Sequence, residues 1–198
     1  MIRRLWATAF GYLILAVRNG LLYAYLQACP RISHRGFVIA DCSGSDESDA
    51  LFQKARRAID LIHDLDRRRF GRIRRDVRRI VFLGTGPQYW PGLRACIFHD
   101  VTRTRTEFVA LTIVHEATHA RLWNAGFRYH PSIRKRIERL CVAQELVFLE
   151  RLPDDDEELL NFTKTKLDRP WWTREERIRR TKEDLERVLN SDGSAQRE

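Results

Sequence analysis

Little in this chain would staple it together or repeat. Its four cysteines, Cys29, Cys42, Cys96 and Cys141, show no C-x-x-C spacing and no paired framework. That pattern argues against a disulfide scaffold and suggests a reducing compartment or simple core thiols, poor as metal ligands. No internal repeat is present, so one domain is the default for 198 residues, of which 43% are hydrophobic, enough for a core.

No uncharged run is long enough to cross a bilayer. Leu5 to Val17 gives thirteen uncharged residues behind Ile2-Arg3-Arg4, and Arg18-Asn19-Gly20 then interrupts before the mostly apolar Leu21 to Ala28. A span from Leu5 to Ala28 has the length but would place Arg18 near its middle, at a cost of about 3 kcal/mol. Three uses compete: a helix that touches membrane, an amphipathic helix packed on the domain, and an export signal. Leu26-Gln27-Ala28-Cys29 has a faint likeness to a lipoprotein cleavage site, but Gln27 and Arg18 argue against export. Residues 1–31 are therefore read as a hydrophobic N-terminal helix that rests on a membrane or on the core.

Acidic residues are in deficit. There are 27 Asp and Glu against 36 Lys and Arg, a formal charge of +9, which favours acidic surfaces as partners. Arg67, Arg68, Arg69, Arg72, Arg74, Arg75, Arg78 and Arg79 crowd into thirteen positions. The plain reading is a solvated turn between a helix and a strand, paired with Asp64, Asp66 and Asp76. The functional reading is contact with anionic lipid or nucleic-acid phosphates. Phe70 is the one aromatic in the run, so the aromatic interleaving of single-strand binding is thin and nucleic acid is the weaker partner.

Against this background stands His115-Glu116-Ala117-Thr118-His119, an H-E-x-x-H string. The apolar run Phe108–Val114 precedes it, and Ala120, Leu122 and Trp123 continue the helical spacing. Thr104 and Glu107 fit a capping box, and Asn124-Ala125-Gly126 a C-terminal stop, which predicts a helix over 106–125. Residues four apart share a helix face, so His115 and His119 can aim two imidazoles at one zinc ion. Glu116 is then placed to act on a zinc-activated water. The alternative is a pair of core histidines bonded to backbone carbonyls.

The segment resembles the zincin metallopeptidases, whose active-site helix carries uncharged residues around the two His, as Val114, Ala117, Thr118 and Ala120 do here. Arg121 departs from that habit. The metzincin subgroup would need Gly and His where this chain has Leu122 and Ala125. The gluzincin subgroup takes its third ligand from a Glu on the next helix, often with eighteen residues between, and Glu138 follows His119 at that spacing. Ser132 to Arg151 reads as that helix, with Ile133, Ile137, Leu140, Val147 and Phe148 as its stripe. Glu145, seven residues on, faces a similar direction, so one Glu would ligate while the other holds a His in place. His130 and His99 are weaker candidates, and Tyr129 or His130 could serve an oxyanion.

Strands are predicted over Gly36–Asp41, Val77–Leu83 and Leu93–His99, the last as the edge where the resemblance implies that an extended substrate adds. Helices are predicted over Ala50–Phe70 and Asp154–Lys166. Pro170-Trp171-Trp172 reads as a hinge before a last helix to about Leu189. The expectation is an α+β, zincin-like fold with a small sheet of about three strands. It divides into the N-terminal helix (1–31), one catalytic domain (32–190) and a disordered tail (191–198). The function expected is a zinc-dependent hydrolase, a metallopeptidase with one Zn2+ per chain held by His115, His119 and Glu138 and with Glu116 as general base. Its partners would be a peptide or protein substrate and an anionic membrane surface, and its place cytoplasmic or membrane-associated. The alternatives are a basic membrane- or nucleic-acid-associated protein with a structural or absent zinc site, and a degenerate zincin that binds peptides without cutting them.

Overall fold

The computed structural model describes residues 20–168, apart from positions 45, 84, 85, 100, 154 and 155. The uncharged run Leu5–Val17, the Pro170-Trp171-Trp172 hinge, the last helix and the polar tail lie outside the described residues, and with them the C-terminal limit of the expected domain.

The fold is α+β. A helix over residues 20–28 (α1) leads into strands β1 (Arg31–His34) and β2 (Phe37–Asp41), then helices α2 (Ser48–Leu65) and α3 (Arg67–Asp76). Strands β3 (Arg79–Phe82), β4 (Gln88–Trp90) and β5 (Ala95–Phe98) follow, and helices α4 (Thr106–Asn124), α5 (Pro131–Leu149) and α6 (Glu157–Asp168) complete it. The sheet has five strands in the order β1-β2-β3-β5-β4, not three. The two strands missed are short: Arg31–His34 and Gln88–Trp90, of four and three residues, carry no apolar alternation long enough to read. The turn Arg35-Gly36 joins β1 to β2 with φ of 46° and 86°, the two positive values that a tight hairpin demands. A Cβ on Gly36 would also stand 3.2 Å from Arg74 Cδ.

β2, β3 and β5 run parallel, while β1 and β4 lie antiparallel at the two edges. Leu93–His99 was expected at an edge, but its strand β5 is paired on both sides, and β4 is the edge instead. Register sets two faces. Ile32, Ile39, Ile80, Cys96 and Tyr89 align across the sheet and pack into the main core with α2 and α4. Ala40, Val81 and Ile97 align on the opposite face, where Leu22 and Leu26 of α1 cover them. Cys29, just past α1, forms a disulfide with Cys42 after β2. This corrects the reading of four unpaired thiols, because only the folded chain brings the end of α1 to the end of β2. The inference of a reducing compartment loses its support with it.

The predicted helix over 50–70 breaks at Asp66, whose carboxylate caps α3 through the Arg69 N–H at 2.9 Å. The arginine run is thus largely a helix rather than a turn. Arg69 is only 5% exposed: its Nε meets Asp66 Oδ2 at 3.2 Å and its Nη1 reaches the Gln144 carbonyl of α5 at 3.1 Å. Arg151 joins the same carboxylate at 3.4 Å. The Asp66–Arg69 pair therefore ties the start of α3 to the C-terminal end of α5. Burial alone would raise the Asp66 carboxyl, but the Arg69 N–H and guanidinium and Arg151 outweigh it and hold it below 3.8. Asp66→Ala removes a cap and strands a buried guanidinium, so urea unfolding at pH 7 should show a loss of about 3 kcal/mol. The wild-type contribution is complete above the ordinary value and is lost as pH falls through the lower folded value. The acid limb of the stability curve should accordingly be shallower in the variant.

Candidate metal centre

α4 is buried nearly all round, which explains why its sequence shows an apolar run rather than a stripe. It ends where expected. Gly126, at φ 92°, donates to Trp123 O and Phe127 N to Leu122 O, the paired bonds of a Schellman stop. Its start differs from the expected box: Arg105 is the cap residue, with no side-chain cap bond. Arg105 reaches forward to Asp156 at 2.5 Å, the residue whose carboxylate caps α6 through Leu159 N. The short loop after Gly126 turns the chain into α5, whose His130 side chain accepts from Ser132 N.

That helix pair brings His115, His119 and Glu138 together. His115 Nε2 and His119 Nε2 stand 3.2 Å apart. Glu138 Oε2 lies 3.3 Å from the first and 3.5 Å from the second. It is buried and has no hydrogen bond to either ring. Ligands at about 2.0–2.1 Å around a tetrahedral zinc stand about 3.3 Å apart. The three atoms thus form one face of such a tetrahedron, with a carboxylate oxygen that no proton satisfies.

Glu145 takes the other role open to it. His115 Nδ1 donates to Glu145 Oε1, which turns Nε2 toward the triangle, free to give its lone pair to a metal once unprotonated. Glu145 is fully buried, and its second oxygen receives Lys166 Nζ from α6 at 2.5 Å. Tyr129 donates its phenol proton to Glu138 Oε1 and sets its ring edge-on to His119 at 5.6 Å. The Arg134 guanidinium covers the same ring at 4.8 Å. Glu116 is 4% exposed, and its Oε2 has no hydrogen-bond partner.

Among the protein groups alone, electrostatics are severe. Burial by itself would lower His115, yet Glu138 and Glu145 outweigh it and push it up to about 10. Burial would raise Glu138, but His115 and His119 bring it down to about 2. Glu145 is likewise lowered against its burial by His115 and Lys166, whereas burial raises Glu116. Three carboxylates converge here on two neutral-capable imidazoles and one ammonium. A divalent cation would balance that charge.

Sequence reasoning set one residue aside as a poor metal ligand, Cys141, and overlooked another, Lys166. Cys141, three positions after Glu138 and fully buried, belongs with His115, His119 and Glu138 to a group whose ligand atoms all lie within 4.8 Å of one another. Its spacing of i, i+3 from Glu138 was the available signal. Lys166 had no local signal, because only the packing of α6 on α5 delivers it. His99 is exposed, and His130 is exposed and bonded to Ser132 Oγ at 2.9 Å.

Zinc content of protein stripped with chelator and reloaded should be about one per chain for wild type, as expected of a three-ligand site. It should fall below about a tenth in Glu138→Ala and stay near one in Cys141→Ser. No protein family, curated protein or solved structure matches this chain.

Proposed function

We propose that the chain is a zinc-dependent hydrolase, a metallopeptidase of zincin type. The observation that carries this reading is a buried, partnerless Glu116 Oε2 beside three convergent ligand atoms, His115 Nε2, His119 Nε2 and Glu138 Oε2. A histidine pair serving only the core would be bonded to protein groups on its inner side, and would give Glu116 no reason to be buried. The zincin architecture is part of the proposal. It is supported by a mixed sheet with an antiparallel edge strand, followed by the motif helix and a helix that supplies a Glu.

His115, His119 and Glu138 would hold the zinc ion, which would supply Lewis acidity, lowering the pKa of a water to around 7 and polarising the scissile carbonyl. Glu116 accepts the proton of the attacking water and passes it to the leaving amine. Tyr129 occupies one oxygen of Glu138 and so leaves the other for the metal. Glu145 fixes the tautomer of His115. β4, the edge strand beside α4 among the described residues, would offer its backbone to an extended peptide. His119 keeps 16% of its side chain exposed, so the triangle has an opening.

One observation favours a second reading. Cys141 Sγ within the same group would give a closed, structural zinc site. The looser limit of that four-atom group, set beside the 3.2–3.5 Å triangle, favours the open site.

The deciding test is Glu116→Gln against a peptide library. The variant should hold zinc as wild type does and lose at least about 100-fold in turnover. Retained turnover would remove Glu116 from the mechanism. Zinc-loaded wild type without turnover on any peptide would favour a non-cutting or structural site.

A further inference from the structure

α6 presents an unusual inner face. Leu159, Thr163 and Lys166 lie at i, i+4 and i+7, and Thr163 is fully buried with its Oγ1 unpaired. A helix that only sealed the core would place apolar side chains there. The Lys166 ammonium instead lies against two rings, 5.7 Å from that of Phe108 on α4 and 5.1 Å from that of Phe162. It emerges onto Glu145 Oε2. The opposite oxygen of that carboxylate is bonded to His115 Nδ1.

We propose that Lys166 is a positioning residue for the metal centre, acting through Glu145 to fix the aim of His115 and to set zinc affinity. The inference rests on the zinc reading and deepens it. With both oxygens committed, Glu145 cannot swing to compete as a ligand, and His115 keeps its proton on Nδ1 and its lone pair on Nε2. Charge completes the argument. Glu116, Glu138 and Glu145 carry three negative charges in a space of low dielectric. One ammonium and one divalent cation balance them, whereas without Lys166 the loaded centre is left with an excess anion. Lys166 reaches the site through Glu145, which makes it a support and not a ligand. The Arg105–Asp156 pair at the start of α6 holds the helix so that Lys166 arrives in register.

The test is a competition titration of zinc on the full chain with a chromophoric chelator, comparing wild type, Lys166→Met and Lys166→Arg, with thermal unfolding of the chelated forms alongside. Lys166→Met should bind zinc about 10- to 100-fold more weakly, the range found when supporting partners of a ligand are lost. Lys166→Arg should recover most of the affinity, because it restores the charge. If Lys166→Met binds zinc as tightly as wild type and only its unfolding temperature falls, the pair is a structural ion bridge and the inference is wrong. If Lys166→Met does not fold, Glu145→Gln takes its place, with the same weakening expected and unchanged affinity overturning the inference. If wild type itself takes up no zinc, the zinc reading fails, and this inference with it.

Discussion

Three carboxylates buried between two helices are the constraint around which the C-terminal half is arranged. Glu116, Glu138 and Glu145 are 4%, 2% and 0% exposed. Each such charge costs several kcal/mol to desolvate and persists only where partners offset that cost. The partners come from three elements, as two imidazoles of α4, a phenol from the α4–α5 loop and an ammonium from α6, and by our reading from one metal ion. Removing any one leaves a charge exposed to low dielectric, which makes the cluster act as a unit.

The rest of the fold serves to hold α4 still. The motif helix rests on the sheet row that passes through Ile39, Ile80 and Cys96, and α2 flanks it in the same core. On the far face α1 covers Ala40, Val81 and Ile97, pinned at its end by the Cys29–Cys42 disulfide. α3 is tied to α5 by Arg69 and Asp66. A helix clamped in this way keeps two imidazoles on one face within the few tenths of an ångström that ligation requires. No described helix is long and apolar enough to cross a membrane. The exposed Leu21, Tyr23 and Tyr25 of α1 remain the described part of the expected hydrophobic N-terminal helix.

Much of the site could be read from local spacing. The four-residue separation of His115 and His119 is a property of a single helix, and the start and stop of α4 lie close to where its flanking residues put them. Glu138 was reached through resemblance and through a short loop that forces two helices to pair. The choice between Glu138 and Glu145 was not legible. Seven residues leave both on one side of α5, and only the angle between helices decides which carboxylate meets Nε2 and which meets Nδ1. Strands β1 and β4 were missed because runs of four and three residues are too short to show a period. The disulfide and Lys166 join segments far apart in sequence, and neither pattern nor propensity reports such contacts. The arginine run misled differently: its charge suggested a solvated turn, while its spacing let Ile73 and Arg69 face inward as a helix.

The central claim is an open site with three protein ligands. Zinc-edge X-ray absorption on the loaded wild-type protein tests it most directly. An open site predicts a first shell of four nitrogen and oxygen atoms at about 2.0–2.1 Å with no sulfur. A sulfur scatterer at about 2.3 Å would place Cys141 on the metal. That result would make the centre closed and structural, and would contradict the account.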